Sequence, residues 1–313
     1  MFAAIDIGTN TVRCIIAESK KDVLRPLFVD MKIVRLGENF KKTGIINQSA
    51  IDRAMKVLAN YSDIIRRYKI NPEDVIATGT SVMRDAPNGK AVAHKIYDEF
   101  HIKVNIIDGE KEAEITLSGI ENCFDGLKNF YAIDIGGGST EYICCKDGLP
   151  LWKKSINIGA IHLTEEFLKS DPPEPDEILN MELYIENSIN ILKNDLLTSG
   201  YNFRQPLSLL GTAGTITTIA MVDMQLEDYS REKIHGYKIN RENIKNIYKI
   251  FCGSDNKERY NITGIEHGRE DLVIAGTAIC LKSMDFFNAS HITDSECSLL
   301  EGLITYDKSI ADI

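Results

Sequence analysis

The sequence predicts an α/β protein of two domains laid out on a duplicated plan, and three observations carry that reading. A short apolar run delivers an aspartate to a turn of small residues twice, in Ala4-Ile-Asp-Ile-Gly-Thr-Asn-Thr11 and in Ala132-Ile-Asp-Ile-Gly-Gly-Gly-Ser-Thr-Glu141. The two aspartates, Asp6 and Asp134, lie 128 residues apart, about one domain length. After each turn the chain resumes as β-rich runs and then alternates helical and strand patterns in the same order.

Composition sets the outer limits. The 313 residues, 43% hydrophobic and 26% charged, are enough for two separate cores and typical of a soluble globular chain. No apolar run reaches membrane-spanning length, and Met1-Phe-Ala-Ala-Ile-Asp6 enters a strand with no basic leader, so the expected location is the cytoplasm. Seven scattered cysteines without a Cys-x-x-Cys spacing read mainly as buried thiols. A formal net charge of −10 argues against a nucleic-acid binder and implies that an anionic substrate needs basic walls and a divalent cation. Basic residues gather at Lys20-Lys21, Lys32 to Arg35 and Lys41-Lys42. The six histidines show no His-x-x-x-His or His-Asp pairing, which speaks against zinc.

In the first half, residues 2–8, 12–19 and 24–34 read as successive strands, the last two joined at Lys20-Lys21-Asp22. Ser49 to Lys69 is a helix, with Ile51, Met55, Leu58, Ile65 and Tyr68 on one face and Asn71-Pro72 closing it. Asp74 to Thr78 is a buried strand running into Gly79-Thr-Ser-Val-Met-Arg84, a polar loop with one cation at the strand's carboxyl end. A helix over Gly89 to Phe100 and a strand over Val104 to Ile107 follow. The helix opening at Gly109 starts beside Asp108, Glu110, Glu112 and Glu114, an acidic cluster that its positive end favours.

The second domain starts near residue 125. Strands at Phe130 to Asp134, Tyr142 to Lys146 and Leu151 to Asn157 precede helices near His162 to Leu168 and Asp176 to Leu197, separated by Asp171-Pro-Pro-Glu-Pro175. Leu207 to Leu210 is a strand entering Gly211-Thr-Ala-Gly-Thr-Ile-Thr-Thr218, where a helix start offers unpaired amides to an anion. Residues 225–264 are mixed. Arg269 to Met284 and Leu299 to Ile310 read as helices, the last one able to pack back on the first domain.

The chemistry suggested by the two turns is phosphate binding. Small residues let backbone amides approach an anion, hydroxyls on Thr9, Thr11, Ser139 and Thr140 add donors, and an aspartate can hold a hydrated cation. An ordinary glycine-rich hairpin explains either copy alone; the pair favours a phosphate-holding duplication.

Taken in order, Asp6-Ile-Gly-Thr-Asn-Thr-Val-Arg13, Val34-Arg-Leu-Gly-Glu38, Gly79-Thr-Ser-Val-Met-Arg84, Gly109-Glu-Lys-Glu-Ala113, Asp134-Ile-Gly-Gly-Gly-Ser-Thr-Glu141, Gly211-Thr-Ala-Gly-Thr-Ile-Thr-Thr218 and Gly268-Arg-Glu-Asp-Leu-Val-Ile-Ala-Gly276 resemble the exopolyphosphatase / guanosine pentaphosphate phosphohydrolase family. The resemblance runs through nearly the whole chain. It implies two actin-like domains, an interdomain active-site cleft, and Mg²⁺-assisted attack of water on a terminal phosphoryl group of polyphosphate or pppGpp. Carried over by motif, the general base falls on Glu112 and a second catalytic glutamate on Glu141. Phosphate contacts fall on Thr9, Asn10, Arg84, Gly136, Gly137, Gly138, Ser139, Gly211 and Thr212, and metal contacts on Asp6, Asp134 and Glu141. A homodimer is the default expectation.

The chain departs from the family pattern at Leu300, where an Arg before Glu301-Gly302 is common, at Lys111, where many members carry an acid, and at Glu114, where many carry Arg. The expectation is a short form that lacks the helical domains of longer members. Two other classes remain open: an ATP-dependent small-molecule kinase, and an actin-like ATP-binding scaffold without turnover. Cysteine spacing disfavours an iron–sulfur activator on the same fold.

Overall fold

The computed structural model describes residues 1–20, 23–124, 126–199 and 207–306. The expected turn at Lys21-Asp22 and the tail beyond Tyr306 lie outside them. The chain divides into two compact units, residues 1–126 with 297–313, and residues 127–296.

The first unit is built on β1 (Phe2–Ile7), β2 (Thr11–Lys20), β3 (Val23–Ile33), β4 (Val75–Gly79) and β5 (Val104–Ile106), ordered β3-β2-β1-β4-β5. The first three form an antiparallel meander, and β4 and β5 add in parallel. Between strands lie α1 (Phe40–Thr43), α2 (Gln48–Arg67), α3 (Ser81–Asp85), α4 (Gly89–Phe100) and α5 (Gly109–Glu121). Helix α2 starts where the Asn47 side chain accepts from Ala50 N, and it buries Ile51, Met55, Leu58 and Ile65 on one stripe. Alternation splits β1: Ala3, Ile5 and Ile7 face the α2 side, and Ala4 and Asp6 face the other. The loop expected at 79–84 is a short helix instead, because Thr9 Oγ1 accepts from Val82 N and Thr80 O accepts from Met83 N.

The second unit repeats the plan with β6 (Phe130–Ile135), β7 (Thr140–Lys146), β8 (Leu149–Ile156), β9 (Ser208–Thr212), β10 (Lys238–Asn240) and β11 (His291–Ser295), ordered β10-β11-β9-β6-β7-β8. Its helices are α6 (Ala160–Phe167), α7 (Pro175–Asn190), α8 (Leu192–Thr198), α9 (Ala213–Met224), α10 (Arg231–Ile234), α11 (Arg241–Gly253), α12 (Asn256–Tyr260) and α13 (Val273–Phe286). The helix expected over 176–197 is divided at Ile191. The backbone there keeps helical angles, φ −60° and ψ −32°, so the ladder of bonds is interrupted but the direction is kept.

Returning to the first unit, the chain forms α14 (Leu299–Thr305), capped by Ser298 and Glu301 in a reciprocal box. Helix α14 packs on α5 at glycines: a methyl added to Gly302 would stand 1.9 Å from Ile115 O, and one on Gly119 2.0 Å from Ser298 O. Leu300 is buried with Ile15, Ile107 and Ile115, so an apolar side chain is what this position requires. A Cys123–Cys297 disulfide, Cα to Cα 6.3 Å, ties the end of α5 to the start of α14. Spacing gave no sign of this pair, and its presence removes the cysteine argument for a reducing compartment. Cys14, Cys144, Cys145, Cys252 and Cys280 are not disulfide-bonded.

Candidate active site

Each half presents its turn with carbonyls engaged and amides open. In the first, Gly8 N donates to Thr11 O at 2.9 Å, Val34 N and Arg35 N both donate to Asn10 O at 2.9 and 2.8 Å, and Gly37 N donates to Thr9 O at 2.9 Å. In the second, Gly136 N donates to Ser139 O at 3.0 Å, Ala160 N to Gly136 O at 3.0 Å, and Ile161 N to Gly137 O at 2.9 Å. Among the described residues no hydrogen bond takes up the amides of Thr9, Asn10, Gly137 or Gly138. A turn whose oxygens are tied back while its N–H groups stay open attracts anions.

The strand registers beside the turns match, and one difference decides their electrostatics. Asp6 pairs across the ladder with Arg13, and Asp134 with Glu141. Arg13 Nε and Nη2 donate to Asp6 Oδ2 at 2.9 and 2.8 Å, and its Nη1 donates to Ser298 Oγ at 3.2 Å. The first hairpin is therefore charge-balanced. The second sets two carboxylates side by side, Asp134 and Glu141, 6% and 1% exposed, with Ser155 Oγ donating to Glu141 Oε1 at 2.7 Å. Two neighbouring carboxylates are oxygen donors of the kind a hard divalent cation takes.

The donor set fits a magnesium-like ion. Among the described residues no three ligating side chains gather around one point, so a cation would take one or two carboxylates and complete its shell with phosphate and water, as magnesium does. Asp134 and Glu141 supply that pair. Asp6 keeps Oδ1 buried without a partner.

Glu112 sits in the first turn of α5, which starts where Asp108 Oδ1 accepts from Lys111 N at 2.7 Å. It is 8% exposed. Arg84, on α3, places Nη1 3.4 Å from Glu112 Oε2 and 3.2 Å from Ile107 O, and Nε 3.4 Å from Asp85 Oδ1. Sequence motifs 28 positions apart are thus brought together in one unit. In the same unit, Asn10 Oδ1, Thr78 Oγ1, Ser81 Oγ and Thr116 Oγ1 are buried with no hydrogen-bond partner. Buried polar atoms without partners point to a ligand or water that completes them.

In the second unit, Gly211 and Thr212 end β9, with Thr212 opposite Asp134 and at the cap position of α9. Ala213 follows in the left-handed region, φ 71°. Two features there escaped sequence reasoning. Arg269 is 8% exposed and lies against Gly214, where an added methyl would meet Nη1 at 2.4 Å; its place in Gly268-Arg-Glu-Asp271 was the available signal. Asp294 is fully buried with neither carboxylate oxygen partnered, and burial, reinforced by Glu296, pushes its carboxyl well above the ordinary range. Burial also raises the thiols of Cys14 and Cys280 to about 12, which makes them poor nucleophiles at neutral pH.

The sheet order 3-2-1-4-5 of the first unit recurs in the second with one added edge strand, β10, and defines an actin-like α/β fold. Residues 15–309 match the Ppx/GppA phosphatase family, and the chain belongs to that family. It is 35% identical to the bifunctional 3-dehydroquinate synthase/phosphatase of Fusobacterium nucleatum, across 96% of this chain and 46% of that protein. The chain thus spans about half the length of that relative. Exopolyphosphatase 2 of Mycobacterium tuberculosis is 27% identical over 96% of each chain. An exopolyphosphatase structure from Cytophaga hutchinsonii superposes with a TM-score of 0.87 at 30% identity, covering 96% of this chain and 95% of that one.

Proposed function

We propose that the chain is a phosphoanhydride hydrolase that removes the terminal phosphate of inorganic polyphosphate, with pppGpp as a second substrate. The observation that carries this is Glu112, a buried carboxylate held by Arg84 in a unit whose hairpin amides are open. Phosphoanhydrides hydrolyse slowly because their oxygens repel the nucleophile, so a catalyst must neutralise charge and aim one water.

In this reading the amides at Thr9, Asn10, Gly137 and Gly138 bind phosphate oxygens, with Gly136, Ser139, Gly211 and Thr212 shaping the second cradle. Arg84 holds both the terminal phosphoryl group and Glu112. The glutamate accepts a proton from water as oxygen attacks phosphorus, the P–O bond to the rest of the chain breaks, and inorganic phosphate leaves. Asp134 and Glu141 would hold Mg²⁺, which when bound would offset negative charge on the phosphates. Asp6 is already balanced by Arg13, so this reading gives the metal to Asp134 and Glu141 and the base to Glu112.

The proposal includes a cytoplasmic homodimer. No helix among the described residues is long and apolar enough to cross a membrane, and Leu179, Leu183 and Ile191 leave apolar surface on and just after α7, which favours self-association.

The test is phosphate release in Mg²⁺ from polyphosphates of several lengths, pppGpp and ATP side by side. Release from polyphosphate that Glu112→Gln abolishes supports the assignment. Turnover of ATP alone would favour the kinase, and binding of ATP without turnover the scaffold.

A further inference from the structure

We propose that Tyr306 is a positioning residue for Glu112, holding the neighbouring Lys111 ammonium off the base and off the bound phosphates; this rests on the reading of Glu112 given above. Lys111 lies in the first turn of α5 with Asp108, Glu110, Glu112 and Glu114 all within three residues of it. A cation there gains nothing from the positive end of the helix, and its flexible stem lets it choose among several acids. Left loose, it would pair with the base or grip the substrate.

The structure sends it elsewhere. Lys111 Nζ stands 4.4 Å from the centroid of the Tyr306 ring, at the end of α14, and donates to the Tyr306 hydroxyl at 3.1 Å. That hydroxyl has one proton to give and gives it to Glu114 Oε1. One phenol thereby joins Lys111 to Glu114 and balances their charges away from the carboxylate between them. Arg84 supplies the cation on Glu112 Oε2.

Tyr306 thus touches both Lys111 and Glu114. Helix α14 is held for this purpose at its other end by the Cys123–Cys297 bond and along its length by the Gly119 and Gly302 contacts.

The test compares the wild-type chain, Tyr306→Phe, Tyr306→Ala and Tyr306→Ala with Lys111→Met. An amine-reactive label followed by mass spectrometry reads the freedom of Lys111 without any ligand. Calorimetry with inorganic tripolyphosphate reads anion affinity, and phosphate release reads kcat. In Tyr306→Ala, labelling of Lys111 is expected to quicken about three- to tenfold, tripolyphosphate to bind about two- to fivefold tighter, and kcat to fall about tenfold. Tyr306→Phe should move the same way by less, and Lys111→Met in the Tyr306→Ala chain should reverse both the affinity and the rate. Equal labelling of Lys111 in wild type and Tyr306→Ala overturns the proposal. So does a variant that loses melting temperature and activity together while affinity stays fixed and Lys111→Met rescues nothing. Failure of the wild-type chain to bind tripolyphosphate would count against the proposed function instead, and the labelling comparison would still decide the part played by Tyr306.

Discussion

Replacing Glu112 by Gln changes one charge and almost no volume, so it separates the chemistry at this position from its packing. The carboxylate is 8% exposed, and Arg84 Nη1 stands 3.4 Å from its Oε2, longer than a strong charge-assisted bond. Arg84 keeps Ile107 O at 3.2 Å and Asp85 at 3.4 Å after the change, so it is not stranded. The fold should therefore lose no more than about 1 kcal/mol, a shift in Tm of about 2–4 °C at most. A positioned general base contributes about 10²–10⁴-fold, or about 3–5 kcal/mol at the transition state. The assay is phosphate release from polyphosphate at saturating substrate, with a melting curve on the same preparation. A melting curve close to wild type with kcat down by that factor is expected. Release at the wild-type rate would remove Glu112 from the reaction, and a collapsed melting curve would recast it as a structural ion-pair residue.

Other consequences follow from particular contacts. Asp134→Asn and Glu141→Gln should each raise the Mg²⁺ concentration for half-maximal rate at least about tenfold, whereas Asp6→Asn should leave it nearly unmoved, as read by titrating Mg²⁺ at fixed substrate. Cys297→Ser opens a cross-link between residues 174 apart in sequence and should cost about 2–5 kcal/mol in denaturant unfolding, a loss that reductant reproduces in wild type and not in the variant. Asp294 has its carboxyl raised in the folded chain, first by burial and then by Glu296. Between its unfolded and folded titration ranges the native state binds the extra proton, so this group favours folding at low pH and loses that contribution as pH rises. Asp294→Asn should accordingly flatten the fall in stability from acid toward neutral pH; an unchanged slope in chemical denaturation across that range would contradict the burial argument.

Much of this was legible before any coordinates, and the parts that were not share physical causes. Strands β1, β2, β6 and β7 were readable because an apolar run must end at a turn of small residues, and the matched registers Asp6 with Arg13 and Asp134 with Glu141 follow from that repeat. Strand β11 was missed because His291-Ile-Thr-Asp-Ser295 is mostly polar. It is a strand because β9 pairs with it in parallel, a constraint imposed from 80 or so residues away in the chain. Helix α3 was read as a loop because five residues carry little periodic signal and its start depends on a hydroxyl from Thr9. The proximity of Arg84 to Glu112 was carried by motif resemblance alone, since side chains from two helices meet only after the sheet has set their spacing. Arg13, the disulfide and Tyr306 were invisible for the same reason: each acts through a partner that sequence separation conceals.

Backbone amide spectra during a titration with tripolyphosphate in Mg²⁺ test the phosphate-cradle assignment most directly. The open amides of Thr9 and Asn10 in the first unit, and of Gly137 and Gly138 in the second, are expected to shift as tripolyphosphate is added. Amides that stay unmoved at either turn would contradict the claim that this turn binds phosphate.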